Sequence, residues 1–568
     1  EFLDGEEPID TINPSLLRMS RLNMNAGLFK VTDKVYQVRG MDLANMTIIE
    51  GDGGLIIIDC LTTADVAEAA LALYYAHRPH QPVAALLYTH SHVDHFGGAR
   101  GVVDQALVDA GETRVFAPNG FLEAIGGENV LAGNAMARRA QFQFGPLLNP
   151  GPCGQVDAGL GKVTARGRVT LVTPTDVIVK PVETHVIAGV TVDFHLAPGT
   201  EAPAEMHMFF PDFGVLNMAE NATPLLHNFC PLRGSEVRDP RMWSHYLADA
   251  VERFGERTEI LIAQHHWPTW GRDNVIDFLE RQRDLYKHIH DQTVRMMNKG
   301  YRPAEIAEVL DIPPSLADDW RMRGYYGTVS HNSKAVFQRY LSWYDGNPAN
   351  LNPHTPEESG KRYVAAMGGP DQVHVEAQRA FNEGDYRWAA ELLNHLVFAD
   401  PTYEPGRLLQ ADTFEQLGYQ SESGPWRDSY LMGAMELRTG NKGFPMGVAR
   451  SITDQLDVDM LVELIGIRLQ AENVEGESFE SNWYFSDIDE HHAIGLDNCA
   501  IHHRPGATIE GAPSITCTKA ALADAVKGAV DVDGFLAIEG VSASDDGPVR
   551  MLFENLDQFS SEFGIVEP

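Results

Sequence analysis

The run Thr89-His90-Ser91-His92-Val93-Asp94-His95 places three imidazoles and a carboxylate within the six residues from His90 to His95. It follows the apolar run Val83 to Tyr88 and precedes Phe96-Gly97-Gly98, which allows a tight turn into a helix. Alternate residues of an extended segment point to the same side, so His90 and His92 can converge on one cation. Asp94 and His95 lie past the expected bend and can address a second. Imidazole and carboxylate donors suit zinc, manganese or iron. At a strand end, this cluster predicts a two-metal hydrolytic site rather than a His-rich surface loop.

Two cations need more ligands than this run supplies. Glu201 follows the turn Ala197-Pro198-Gly199-Thr200, and Glu220 closes the apolar stretch Val215-Leu216-Asn217-Met218-Ala219. His265 follows Ile260-Leu261-Ile262 and has His266 beside it. Each stands just past an apolar strand, where loops gather at one rim of an α/β sheet.

The elements that must position these residues begin with strands at Val31-Tyr36-Val38, Met46–Ile49 and Leu55–Ile58, with a turn at Gly51-Asp52-Gly53-Gly54. An Ala-rich helix over about 63–76 leads to the strand that delivers His90. Further strands are expected over 169–179, 185–196, 206–210 and 259–262. From about Asn274 to Gly440 the pattern is helical. Ala377 and Ala411, and likewise Gly384 and Gly418, stand 34 residues apart, resembling one and a half tetratricopeptide-like repeats. After Gly440 an amphipathic helix is expected over 452–470, then a β-meander through Phe479–Phe485, Ala493–Leu496 and Ala500–His502. Helices near 519–526 and 556–563, flanking a strand at 535–538, complete a small α+β domain. The expected domains are 1–290, 291–440 and 441–568.

At 568 residues the chain is too long for one core. Its formal charge of −36 argues against nucleic acid or anionic membranes as partners. No apolar run approaches the ~20 residues that span a bilayer, so stable membrane insertion is not expected. The five cysteines form no Cys-x-x-Cys pair, which argues against a zinc ribbon or a disulfide scaffold. The chain starts at Glu1 rather than an initiator Met, so it reads as processed or truncated, and removal of a signal peptide is one reading. That points to a periplasmic or secreted enzyme, with the cytoplasm as the alternative.

The His-x-His-x-Asp-His pattern, followed in order by Glu201, Glu220 and His265, resembles the metallo-β-lactamase fold, an α/β sandwich of two sheets between helices. Two glutamates, where most relatives use His and then Asp or Cys, match the alkylsulfatase branch. The stretches Asn217–Asn221, His227-Asn228, Leu232-Arg233-Gly234, His265–Pro268 and Gly324–Asn332 are similar to that family's motifs. The resemblance implies a catalytic domain, an all-α dimerisation domain and a sterol-carrier-protein-like α+β domain, assembled as a homodimer.

Carried over, it implies two Zn2+ per subunit, other divalent metals being an alternative. His90, His92 and Glu201 would hold one ion, and Asp94, His95 and His265 the other, with His265 favoured over His266. Glu220 would bridge them, and Asp94 and Glu220 would be the catalytic carboxylates. Asn228, Arg233 and Arg238 would bind the sulfate, although Pro231 stands where Thr is expected in relatives. Asp59 is a candidate either to hold a histidine or to cap a turn. Tyr325, Tyr326 and His331 are candidates for the site or the subunit contact, with an ordinary place in the core as the alternative.

The implied reaction is hydrolysis of a long-chain primary or secondary alkyl sulfate ester to an alcohol and sulfate by a metal-activated water. The alternatives are another hydrolase of the fold, acting on phosphoesters, thioesters or lactones, and a non-catalytic lipid-binding protein.

Overall fold

In a computed structural model of the chain, the structure describes residues 2–5, 7–443 and 452–568. Seven strands form the first sheet in chain order: β1 (Gly27–Lys30), β2 (Val35–Arg39), β3 (Met46–Glu50), β4 (Leu55–Ile58), β5 (Val83–Leu87), β6 (Arg114–Pro118) and β7 (Asp176–Ile178). The first four pair antiparallel, and β4 to β7 run parallel. The second sheet is ordered β13-β12-β11-β10-β9-β8, from β8 (Val182–Ile187), β9 (Val190–Leu196), β10 (Met206–Phe210), β11 (Val215–Asn217), β12 (Ile260–Ile262) and β13 (Thr269–Trp270).

The sheets meet through one apolar cluster, with Ile56, Ile58, Leu87 and Phe116 from the first and Phe194, Met206, Phe210 and Ile262 from the second. Phe116 and Phe194 stack across it at 5.8 Å. Helices cover the outer faces. Tyr74, on the helix Ala64–Tyr75, packs edge-on against Tyr36 of β2. On the other side, Leu216 and Leu261 share a core with Trp243 and Phe278, from the helices Pro240–Phe254 and Arg272–Met297. This is the αββα sandwich.

Local chemistry explains several boundaries. Thr63 caps its helix by accepting from Val66 N, as an N-cap hydroxyl should. The expected single strand 185–196 is instead the hairpin β8–β9. Ala188 (φ 46°) and Gly189 (φ 78°) reverse the chain there, and apolar alternation on both sides hid the turn. Of the stretch 169–179, only β7 is a strand.

The chain divides into two compact units. One holds residues 1–121, 137–444 and 562–568, so the sandwich and the helical array belong together. In that array Ala377 and Ala411 are both fully buried. The glycines 34 residues apart differ, however. Gly384 ends its helix in the left-handed region at φ 82°, whereas Gly418 lies within the helix Glu404–Gln420, where a Cβ would come 3.2 Å from Leu431.

The second unit comprises 122–136 and 445–561, so an internal segment of the expected catalytic domain packs with the C-terminal one. The expected boundary at 440–441 adjoins 444–451, which lie outside the described residues. This unit's sheet is ordered β16-β15-β14-β17-β18: β14 (Phe479–Phe485), β15 (Glu490–Asp497), β16 (Ala500–Pro505), β17 (Ser514–Cys517) and β18 (Ser542–Ala543).

Two expected elements fail here. Val532–Leu536 is a short helix capped by Asp531, not a strand, and the last helix is Gly547–Phe553, not 556–563. Asp531 offered a cap that apolar content alone concealed. No helix among the described residues is long and apolar enough to cross a membrane.

The turn after the His-rich run is held by close backbone approach. Cys60 N donates to His95 O and Gly98 N to Leu61 O, both at 2.9 Å. A Cβ on Gly98 would lie 1.9 Å from Cys60 O. Gly98→Ala is therefore expected to cost at least the roughly 1–3 kcal/mol of an overpacked core. A lower urea midpoint and fewer metal ions per chain are expected; an unchanged midpoint would show that the approach is dispensable.

Candidate metal centre

Every metal-ligand candidate sits where a strand ends at one rim of the sandwich. His90 follows β5 and makes an isolated antiparallel bridge with Glu205, and Met206 N donates to Thr89 O at 2.9 Å. The two sheets are thus tied together at the site. The helix Val93–Phe96 begins directly after His92 and turns Asp94 and His95 away from the strand direction. Glu201 lies in the β9–β10 turn, Glu220 after β11 and His265 after β12. Asp59, Leu61, Ala219 and His266 beside these ligands hold positive φ (52–65°), a conformation that side chains with a Cβ resist and that the surrounding bonds must impose.

The ligands form two groups that share one carboxylate. His90 Nε2 is 3.3 Å from Oε2 of both Glu201 and Glu220, and His92 Nδ1 is 2.9 Å from Glu201. His95 Nε2 lies 3.3 Å from Asp94 and 3.5 Å from Glu220, and His265 Nε2 lies 3.6 Å and 3.2 Å from the same two side chains. Among the described residues three sets of donor atoms are close enough to hold an ion: His90, His92, Glu201 and Glu220; Asp94, His95 and His265; and Asp59, His90 and His95, of which Asp59 is engaged by the hydrogen bonds below. His265, not His266, faces the centre. His266 Nε2 turns instead to Gly159 O at 3.2 Å.

The tautomers favour cations. Thr89 Oγ1 donates to Asp59 at 2.7 Å and so accepts from His90 Nδ1 at 2.9 Å. His95 Nδ1 donates to Asp59 at 2.9 Å, and His265 Nδ1 to Leu43 O at 3.0 Å. Each Nε2 is thereby left to face the centre, and all three are buried with no hydrogen bond, as is Glu201 Oε2. Orphaned polar atoms converging in a buried space are what a metal would satisfy.

The carboxylates report the same field. Burial opposes ionisation of Asp94, but His95 and His265 hold it below its ordinary range. Burial likewise opposes Glu220, which His265 and His227 hold well below. Glu201 is instead pushed upward by burial.

Beneath the ligands lies a residue that the motif reading missed. Glu205 is fully buried. Its Oε2 accepts from Thr200 Oγ1, Glu201 N and Ala202 N at 2.8, 3.0 and 3.1 Å, and its Oε1 accepts from Glu220 N at 3.2 Å. It clamps the two glutamate-bearing loops to each other. A glutamate four residues after Glu201 carries no periodic signal, so nothing local marks it. Asp59 fills both roles left open for it: it accepts from Thr89 N (2.8 Å) and Gln264 Nε2 (2.8 Å) at a strand end, and it holds His95.

Comparison with known proteins places this centre. Residues 39–265 match the metallo-β-lactamase superfamily, 302–440 the alkyl sulfatase dimerisation family and 447–568 the alkyl sulfatase C-terminal family. The whole chain is 48% identical to alkyl/aryl-sulfatase BDS1 of Saccharomyces cerevisiae, covering 88% of that protein. It is 47% identical to an (R)-specific secondary-alkylsulfatase of Pseudomonas sp., covering 86%. The solved stereoselective inverting sec-alkylsulfatase Pisa1 from Pseudomonas sp. superposes with a TM-score of 0.97 at 47% identity, over 100% of this chain and 90% of that one. The chain belongs to the alkylsulfatase family.

Of the residues that the alkylsulfatase resemblance assigns to sulfate, two lie against the metal ligands. Arg238 pairs with Glu201 and donates to the Asn228 side chain, to Asn228 O at 2.9 Å and to His227 Nδ1 at 3.1 Å. Its fork is therefore committed largely to Glu201 and the Asn228 loop. With Nδ1 accepting, His227 carries its proton on Nε2 and donates it to Glu220 at 2.9 Å. The motif reading gave this histidine no role.

Arg233 sits farther out and half-buried. Its N–H donates to Gln143 at 2.8 Å, and Gln143 Nε2 donates to Tyr326 Oη at 2.9 Å. Asn332 accepts from Phe229 N and donates to His227 O, holding the loop between them. Tyr325 is a core residue. His331 is half-buried, and its Nδ1 accepts from Trp426 Nε1 at 2.8 Å, which places its proton on a buried Nε2 that has no hydrogen-bond partner.

Asp59→Asn and Glu205→Gln each keep shape while replacing an acceptor by a donor. Both are expected to lose about 10–100-fold in metal affinity, as is typical of residues that orient ligands. Metal content by mass spectrometry after dialysis checks this, and full retention in both variants would remove them from the support of the centre.

Proposed function

We propose that this alkylsulfatase hydrolyses long-chain primary or secondary alkyl sulfate esters to the alcohol and inorganic sulfate, as a zinc-dependent homodimer. The observation that carries the reading is the pairing of two buried glutamates, Glu201 and Glu220, with the Arg238–Asn228–His227 loop in contact with both. A carboxylate pair of that kind suits divalent cations, and an arginine and an amide beside it suit an oxyanion. The relatives named as secondary- and linear primary-alkylsulfatases support the same substrate class. The residues 302–440 that match a dimerisation family support the homodimer.

Two divalent cations, held by His90, His92 and Glu201 and by Asp94, His95 and His265 with Glu220 between them, would activate water at neutral pH and offset charge on the departing sulfate. The chain's own groups do the rest. Glu220, fixed by His227, orients the reacting centre, and Asp94 shares its second histidine pair. Arg238 holds Glu201 in place and, with Asn228, limits how a sulfate can approach. His331 offers a neutral Nε2–H donor: burial and nearby positive charge pull its pKa down to about 3, so it stays uncharged at neutral pH.

Dodecyl sulfate turnover, measured as released sulfate, is expected to vanish in chelator and to return with added zinc. Persistence in chelator would sink the metal reading. Glu220→Gln is expected to lose more than the roughly 100-fold upper range for an outer residue. Arg238→Ala is expected to lose metal as well as rate, because it unpairs buried Glu201. Arg233→Ala is expected to raise KM or lower kcat with both ions retained, and unchanged kinetics would take Arg233 out of the site.

A further inference from the structure

A cavity of about 280 Å3 has Leu43 and His266 in its wall. The Leu43 carbonyl accepts from His265 Nδ1, while His265 Nε2 faces Asp94 and Glu220. None of the candidate metal ligands lines the cavity. Phe29, Leu22, Leu160, Trp267 and Trp270 give it apolar and aromatic walls, with Asn23, Asn45 and His266 among its polar lining. Exposed Asn25 and Gly40 and half-exposed Trp270 (49%) stand where it meets solvent. Its volume falls just under the ~300–1,000 Å3 usual for small-molecule sites.

Arg39 lies in this wall, its guanidinium carbon 3.7 Å from the Phe29 ring centroid. It forms no ion pair with any described carboxylate, and its buried Nε has no hydrogen-bond partner. Burial alone pulls its pKa down to about 10.

The other charged groups facing the cavity are already committed. Lys162 reaches Ser20 O and Oγ at 2.8 and 2.9 Å and lies 3.4 Å from Asp157. Asp42 accepts from the amides of Leu43, Thr62 and Ala165, each at 2.7 Å. Among the described lining residues Arg39 is the cation left to meet a ligand's charge, with Phe29, Trp267 and Trp270 beside it in the wall.

We propose that this cavity is a second ligand site, taking an amphiphile with one anionic head group on Arg39 and an apolar tail against Phe29, Trp267 and Trp270. The assignment rests on the cavity's own residues and holds whatever ester the metal centre cleaves.

The probe is decyl sulfonate, which has no ester bond to hydrolyse, titrated below its micelle concentration into the metal-loaded full chain by calorimetry. Two molecules per chain are expected for the wild type and one for Arg39→Gln. Arg39→Lys, which keeps the charge, should restore the second. Turnover at low substrate should be unchanged in Arg39→Gln. If that variant does not fold, Trp270→Ala on the exposed rim should weaken the second site by about tenfold through lost apolar contact and leave the first alone.

A single site in the wild type, or two sites unaltered by Arg39→Gln, would overturn the proposal. Decyl carboxylate competing for the second site would support an anionic amphiphile in general, with sulfate esters as one source. Inorganic sulfate displacing the sulfonate there at equal affinity would overturn the role of the tail.

Discussion

The structure depends on keeping carboxylates buried beside imidazoles. Asp59, Asp94, Glu201, Glu205 and Glu220 crowd one rim, and four of them are almost fully buried. Removing such charges from water is costly unless each is paired or hydrogen-bonded. The fold meets that cost with backbone amides and fixed histidines. Glu205 takes up the amides of Glu201, Ala202 and Glu220, Asp59 takes up Thr89 and His95, and His227 takes up Glu220. What remains unsatisfied is the set of Nε2 atoms and Glu201 Oε2 that converge at the centre. The scaffold is most saturated around the atoms it leaves bare.

That arrangement explains why the helical array belongs to the same compact unit as the sandwich. Trp426, in the helix Gly424–Thr439, fixes the tautomer of His331, and Ser423 at its cap donates to Tyr326 O. Asn332, in the helix Val329–Leu341, holds the His227–Phe229 loop. The array therefore braces the loop that carries His227 and Asn228, in addition to carrying the dimerisation-family match.

The convergence of the candidate ligands was legible because their spacing follows strand geometry. His90 and His92 share a side, the bend separates Asp94 and His95, and strand ends carry Glu201, Glu220 and His265. The misreadings have one physical origin. Apolar alternation around Ala188-Gly189 and the apolar content of Val532–Leu536 describe burial, and burial is compatible with a hairpin, a strand or a short helix. Local caps and left-handed residues decide among them. The order of the choice between His265 and His266 is similar: both follow the same strand, and the positive φ at His266 turns its ring to Gly159 O.

By itself, the sequence determined which donor types stand at which strand ends, and hence an alkylsulfatase with a candidate metal centre on an αββα sandwich. Only the tertiary structure decided how the donors are held. Glu205, His227 and the Thr89–Asp59 link act through contacts between segments distant in the chain, and no periodicity records them. It also decided that Arg238 is bound to Glu201 and that Arg39 is left without a carboxylate. A charge's meaning depends on its neighbours in space, and those neighbours exist only once the sheets have closed.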